Sequence, residues 1–229
     1  MTQRVAAAAR VRRRAAAADL RHDLVSGSIT LHGGRIDFVH PREAMELIYE
    51  QNFDAEEEYP PYWAELWPSG IELAYAISAR ELAGAPVLEL GCGLGLPSIA
   101  ASLAGGRVLA TDRSPDATGF TAANARRSRA ILETAVCSWD EPGTMLDRGP
   151  WSIVLASDVL YGQRNVTELL DLLPRLVDDS GEVWIADPGR PLAADFLEAA
   201  REAWHTVSTT ATRIPSVRIH HLRDRRRAA

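Results

Sequence analysis

The residues of this chain that could do chemistry begin with Glu89-Leu-Gly91-Cys92-Gly93-Leu-Gly95 and continue with Asp112, Trp139, Ser157-Asp158-Val-Leu-Tyr161 and Asp187. Three glycines at alternate positions, after the apolar run Val87-Leu-Glu-Leu90 and before Leu96-Pro97, mark a tight turn between a strand and a helix. Such a turn lets the backbone approach a ligand closely, and the helix start beyond it presents free N–H groups. Asp112 ends the next apolar run, about 20 residues on, where an acidic residue takes ribose hydroxyls in nucleotide-binding folds. The dinucleotide fingerprint requires G-x-G-x-x-G, and Gly91, Gly93 and Gly95 do not have that spacing. Because Asp112 would serve a nicotinamide dinucleotide equally well, that cofactor stays open as an alternative. Asp112 could also do no more than cap a helix starting near Ser114.

These residues must be held at the ends of strands. From Trp67 onward strand and helix patterns alternate: a helix over Ile71 to Leu82, then strands at Val87 to Leu90, Val108 to Thr111, Ala135 to Cys137, Ile153 to Ser157 and Val183 to Ala186. Helices separate them near Asp116 to Arg129, Val166 to Val177 and Leu192 to Trp204. Short, unbroken apolar strands predict a buried parallel sheet. Thr206 to Ile214 and Val217 to Leu222, joined by Pro215-Ser216, close it as an antiparallel hairpin. The fold class is therefore α/β, a Rossmann-like, mostly parallel sheet with helices on both faces. Ligands of such sheets sit beyond the carboxyl ends of the strands, where the glycine turn and Asp158 meet.

Ahead of the sheet, Met1 to about Leu20 is Ala- and Arg-rich and reads as a solvated or weakly docked helix. Ser28 to Val39 alternates around Gly33-Gly34 as a hairpin does. The chain divides into a helical arm and hairpin cap (1–58), a main domain (59–222) and a basic tail (223–229) expected to be disordered.

The glycine pattern resembles motif I of class I S-adenosylmethionine-dependent methyltransferases. Three further segments are similar to family 16, the seven-β-strand protein methyltransferases, and closest in motif to those that methylate lysines of the electron-transfer flavoprotein β subunit and to their bacterial relatives. They are Pro61-Tyr-Trp63-Ala-Glu-Leu-Trp67-Pro-Ser-Gly70, Cys137-Ser-Trp139-Asp140, and Ala156-Ser157-Asp158-Val-Leu-Tyr161 with Ala186-Asp187-Pro-Gly-Arg190-Pro191. The likeness spans roughly Tyr59 to Pro191. It implies a seven-stranded sheet that binds S-adenosyl-L-methionine and releases S-adenosyl-L-homocysteine. It also implies that Glu89 holds the end of the loop, that the Gly91 to Gly95 backbone, Cys92 included, lies against the cofactor's amino acid, and that Trp67 and Trp139 line the site. Ser157 would offer its backbone to the cofactor. Trp63 could equally be a core anchor, and Asp140 or Trp139 a plain loop residue.

Methyl transfer to an amine is an in-line displacement that needs positioning and exclusion of water, and it calls for no metal. Asp158 and Asp187 are the candidate catalytic carboxylates, orienting the amine and assisting its proton loss to water. Tyr161 would pack against the acceptor's stem. Asp187 could instead be a turn residue before Pro188-Gly189. The run Asp54, Glu56, Glu57 and Glu58, with Glu65, would draw a cationic acceptor to the cleft, or be a solvated loop. The expected activity is protein-lysine N-methylation. A small-molecule N- or O-methyltransferase, or a binding module that retains the cofactor without turnover, are the alternatives.

With 229 residues, a net charge of -6 and 46% hydrophobic residues, the composition gives no reason to expect nucleic acid or an anionic membrane as partner. No apolar run reaches a membrane-spanning length and the N-terminus lacks a secretory signal, so the expected location is the cytoplasm and the partner a cytosolic protein or small amine. Two cysteines make neither a disulfide framework nor a zinc site. All 25 basic Lys or Arg positions are Arg, so the chain has no lysine of its own to methylate.

Overall fold

Apolar runs such as Val87-Leu-Glu-Leu90 and Ile153-Val-Leu-Ala156 lack the alternation of a one-sided strand and need both faces covered. The computed structural model, which describes residues 23–42 and 62–226, places them at the centre of a seven-stranded sheet. The described chain opens with β1 (Leu24–Leu31) and β2 (Gly34–Pro41), an antiparallel hairpin turning at Gly33, whose φ is 74°. A single 3-10 turn at Tyr62–Ala64 leads to α1 (Pro68–Ser78). Then come β3 (Pro86–Leu90), α2 (Leu96–Leu103), β4 (Arg107–Asp112), α3 (Pro115–Arg127) and β5 (Glu133–Val136). The second half holds α4 (Gly143–Asp147), β6 (Trp151–Ser157), α5 (Gln163–Leu176), β7 (Val177–Asp187), α6 (Ala193–Ala200), β8 (Trp204–Ala211) and β9 (Arg218–Arg225).

The strand order is β5-β4-β3-β6-β7-β9-β8. β5 through β7 run parallel, while β9 pairs antiparallel with both β7 and β8. Strand order reverses between β3 and β6, which opens a crevice outside their carboxyl ends. Alternate residues divide the core. Leu88, Leu90, Val154, Val183 and Ile185 pack beneath the α5 residues Val166, Leu169, Leu172 and Leu173, whose helical spacing forms one apolar stripe. Val87, Val108, Ile153, Leu155 and Trp184 pack on the other face with Leu73, Ile77 and Ile99 of α1 and α2.

The seven strands, their mostly parallel pairing and the terminal hairpin agree with the sequence-based expectation. Several boundaries differ. Pro68, pre-set at the first helical turn, starts α1 before Ile71, and the helix ends at Ser78. β7 begins at Val177, ahead of the expected Val183, its first half hidden by the polar run Asp178-Asp-Ser-Gly181. α6 stops at Ala200, and Trp204 starts β8 as a buried residue. β9 runs on through Arg225, so the first residues assigned to a disordered tail are in the sheet, where Arg223 meets Glu182 and Arg225 meets Asp179, each at 2.8 Å. The expected helical arm (Met1 to Leu20), the acidic run Asp54 to Glu58 and the last three residues lie outside the described residues. Among those described, no helix is long and apolar enough to cross a membrane.

Candidate active site

The glycine turn leaves β3 through Gly91, Gly93 and Gly95, whose φ angles are 65°, 49° and 80°. All three are left-handed, which a residue with a Cβ adopts only at a cost. At Gly95 space is a second constraint, since a Cβ would stand 2.5 Å from Thr121 Cγ2. Polar groups of β4 and α3 hold the loop. The Cys92 N–H donates to the Thr111 carbonyl at 2.9 Å, Thr121 Oγ1 donates to the Gly93 carbonyl at 2.9 Å, and Asn124 Nδ2 donates to the Leu94 carbonyl at 3.0 Å. The same Asn124 side chain grips β2, accepting the Val39 N–H at 2.8 Å and donating to its carbonyl at 3.2 Å.

Glu89 is fully buried and does not line the crevice, because strand alternation turns it to the α2 face with Val87. Its Oε2 accepts the Ser98 N–H at 2.9 Å and the Ser98 hydroxyl, tying β3 to the first turn of α2. Burial pushes its carboxyl up to about 8 against those two hydrogen bonds. Asp112, by contrast, reaches the crevice. Its Oδ2 accepts the Gly93 N–H at 3.0 Å and its Oδ1 the Ser114 N–H at 2.9 Å, so one carboxylate bridges the glycine loop and the start of α3. The helix cap itself is Ser114, whose hydroxyl accepts the Ala117 N–H. Burial raises the Asp112 carboxyl, opposed by the Ser114 and Gly93 hydrogen bonds.

The crevice is a cavity of about 880 Å³ bounded by Trp67, Gly91 to Leu96, Asp112, Trp139, Ser157, Asp158, Tyr161 and Arg190, among others. Trp67 is the N-cap residue just before α1 and donates its Nε1–H to the Tyr62 carbonyl at 2.7 Å. Trp63 also borders the cavity and packs on Phe120, with ring centroids 5.3 Å apart. Trp139 stands beside the glycine turn, its Cζ2 3.8 Å from where a Gly91 Cβ would be. Asp140 pairs with Arg164 at 3.1 Å, and a Ser138 hydrogen bond holds its carboxyl below the ordinary value.

Asp158 follows β6 with a left-handed φ of 57°. Its Oδ1 accepts from Arg190 Nε at 2.8 Å, with Arg190 Nη2 at 2.6 Å. Burial pushes the Asp158 carboxyl up, Arg190 holds it down, and Asp187 adds to the upward push. Tyr161 is half-exposed at the mouth and meets Tyr62 edge to face at 5.6 Å. Asp187 is not in this wall. It is fully buried on the Val183 and Ile185 side of β7, and its Oδ1 accepts the N–H groups of Gly189 and Arg190, both at 2.7 Å. Of the two carboxylates expected to handle the acceptor, the structure brings Asp158 to the cavity and makes Asp187 the turn residue. Arg190, read only as part of Asp-Pro-Gly-Arg-Pro, is the group that reaches Asp158 instead.

Among the described residues the wall carries six carboxylates, Glu65, Asp112, Asp116, Asp140, Asp158 and Glu168, against three guanidiniums, Arg113, Arg164 and Arg190. A wall with excess negative charge suits cationic ligands. A cradle of three left-handed glycines, a carboxylate beside it and the Trp139 indole next to it suit an adenosine joined to an amino acid, and the cavity is of small-ligand size.

A family model described as lysine methyltransferase matches residues 54–202. The electron transfer flavoprotein beta subunit lysine methyltransferase of Xenopus laevis is 35% identical over 136 residues, 57% of this chain and 53% of its own length. That of Danio rerio is 37% identical over 135 residues, 57% of this chain and 51% of its own. The protein N-lysine methyltransferase METTL21A of Danio rerio is 31% identical over 120 residues, 49% of this chain and 55% of its own. The chain thus spans about half the length of the curated relatives it matches. Among solved structures, the 16S rRNA N2 G1207 methyltransferase of T. Thermophilus, in complex with AdoMet and guanosine, superposes with a TM-score of 0.65 at 13% identity, over 88% of this chain and 51% of that one. The N-methyltransferase NodS of Bradyrhizobium japonicum, with S-adenosyl-l-homocysteine, gives 0.56 at 16% identity, over 79% and 97%. At such identities these two speak for the fold.

Proposed function

This chain belongs to the lysine methyltransferase family, and on that premise we propose that it transfers a methyl group from S-adenosylmethionine to a lysine side chain of a protein. The observation that carries the reading is one cavity whose wall holds the glycine cradle and Asp112 together with Asp158 and Tyr161. The relatives' names supply the acceptor class, a protein lysine. We further take the enzyme to be of bacterial type and to act in the cytoplasm, a compartment that suits its two free, buried thiols, Cys92 and Cys137.

When bound, S-adenosylmethionine supplies an electrophilic methyl on a positively charged sulfur. Asp112 and the loop of Gly91 to Gly95 would hold its nucleoside and amino acid parts, Trp139 would cover the base, and Trp67 would close the α1 side. An arriving lysine is an ammonium and must give its proton to water before its lone pair can attack. Asp158 orients the resulting amine in line with the methyl, and Tyr161 packs along its aliphatic stem. Excess negative charge on the wall draws both cations to the same place.

The test is to incubate the protein with methyl-tritiated cofactor and a lysate of its host, with and without protease. A protease-sensitive labelled band with methyl-lysine in its peptides is the expected result. Label confined to small molecules overturns the protein acceptor. The enzyme adds no lysine background, since its sequence contains none. Asp158→Asn should abolish labelling and keep affinity for S-adenosylhomocysteine.

A further inference from the structure

Asp187 and Asp158 end adjacent parallel strands, yet only Asp158 faces the cavity. Between them runs a connected path. Asp187 Oδ1 takes the backbone N–H groups of Gly189 and Arg190, and Gly189 turns the chain with φ 90°. That turn throws the Arg190 side chain across to Asp158, and both of its close contacts fall on the same oxygen, Oδ1. Its guanidinium carbon lies 6.0 Å from the centre of the Tyr161 ring, so it sits where Asp158 and Tyr161 converge. The Asp158 backbone is fixed from the same side, its N–H donating to the Ala186 carbonyl at 2.8 Å.

Resting on the methyltransferase reading above, we infer that Arg190 is a positioning residue for the acceptor nitrogen: set by Asp187 through the turn, it occupies Oδ1 of Asp158 and leaves Oδ2 to orient the amine. Arginine suits this part because its planar group stays charged and offers Nε and Nη2 as a fork. It opposes the upward push of burial on the Asp158 carboxyl and so favours the ionised form, an acceptor, over the protonated form, a donor. Its fixed positive charge beside the acceptor position also disfavours the ammonium form of the incoming lysine, and so favours the nucleophile. The charged and titratable groups around Asp158 are Arg190 from the turn, Asp187 from β7 and Tyr161 on its own loop, with His220 of β9 behind Asp187.

Asp187 acts on Asp158 in two ways of opposite sign, which makes the path testable. As a negative charge it pushes the Asp158 carboxyl up, and as the anchor of Arg190 it pulls it down. Asp187→Asn removes the charge and keeps an oxygen for the two N–H groups, whereas Asp187→Ala removes the anchor as well. The carboxyl of Asp158 is followed by 13C NMR in the full-length protein without ligand. In Arg190→Ala its titration should move upward by about one pH unit or more, and Arg190→Lys should recover part of the shift. Asp187→Asn should move it down and Asp187→Ala up. In the methylation assay Arg190→Ala should lose kcat by about tenfold or more, with a smaller change in KM and unchanged S-adenosylhomocysteine affinity. An unmoved titration in Arg190→Ala overturns the inference, as does a downward shift in Asp187→Ala. Arg190 is a third exposed, so its variants should fold and decide the matter even if Asp187→Ala does not. The titration needs no acceptor, so a wild-type protein that methylates no protein defeats the proposed function and leaves the Arg190 result to be judged separately.

Discussion

The N–H and hydroxyl of Ser98 converge on a single oxygen of Glu89, so the buried carboxyl of β3 caps the helix that follows the glycine turn. Glu89→Ala should cost about 3 kcal/mol, because it opens a cavity and leaves the Ser98 N–H without its partner in the core. Urea denaturation measures it. The pH dependence has a definite sign. An unfolded Glu loses its proton near 4.5, while the folded group keeps its proton up to about 8. Its contribution is therefore fully present below 4.5 and is lost as the pH rises towards 8. Glu89→Gln, close in shape to the protonated acid, should remain folded and lack this decline between those limits.

Gly95→Ala should be the most damaging single change in the loop, combining φ 80° with contact at 2.5 Å to Thr121 Cγ2. A loss of about 2–5 kcal/mol is expected, with S-adenosylhomocysteine binding too weak to detect by calorimetry. Adding Thr121→Ala should return only a small part of the stability, since it removes the Cγ2 and Oγ1 contacts but keeps a Cβ at 2.9 Å, leaves the backbone strain and gives up the hydrogen bond to the Gly93 carbonyl. Gly93→Ala, whose nearest neighbour would be the Trp63 carbonyl at 3.3 Å, should be milder.

Asp112→Asn cannot accept from both the Gly93 and Ser114 N–H groups, because one of its terminal atoms is a donor. Cofactor affinity should fall about ten- to a hundredfold, read by calorimetry with S-adenosylhomocysteine. In the wild-type protein, affinity should weaken on acidification, and burial of Asp112 should start that loss at a higher pH than an ordinary Asp would. The Asn variant should not show this acid limb.

His221 gives the opposite slope to Glu89. It is buried against Trp184, at 4.7 Å between ring centroids, and burial together with Arg223 lowers its pKa from 6.5 to about 4, while Glu182 resists. Below 6.5 the unfolded chain gains a proton that the folded imidazole refuses, so stability should fall as the pH drops towards 4. His221→Gln should flatten urea midpoints over that range.

The sheet was legible because its parallel strands are apolar on both faces, and the glycines because their spacing has a geometric meaning. The fates of Asp158 and Asp187 were not. Both are acidic residues at the ends of apolar strands, aligned in the parallel register, and the left-handed φ of 57° at Asp158, one residue past β6, together with the turn that Asp187 holds, is what parts them. Asp-Pro-Gly was the available signal, since Asp before such a pair takes backbone N–H groups. The direction in which that turn throws Arg190 depends on how β6 and β7 sit together, which no local pattern carries. Thr121 and Asn124 were missed for a related reason. They are polar residues on the buried face of α3 beside Phe120 and Ala125, and such a departure from the apolar stripe was the clue that they hold other backbone.

Asn124 carries a consequence beyond holding the loop. Its one amide grasps Val39 of the hairpin and Leu94 of the glycine turn, so the two backbones share a single anchor on α3. If Asn124 couples the two, thermodynamic reciprocity requires that a ligand that settles the turn slow hydrogen exchange at the Val39 amide, which is the expected outcome. The hairpin, remote in sequence from the glycine turn, is then a built-in reporter of occupancy.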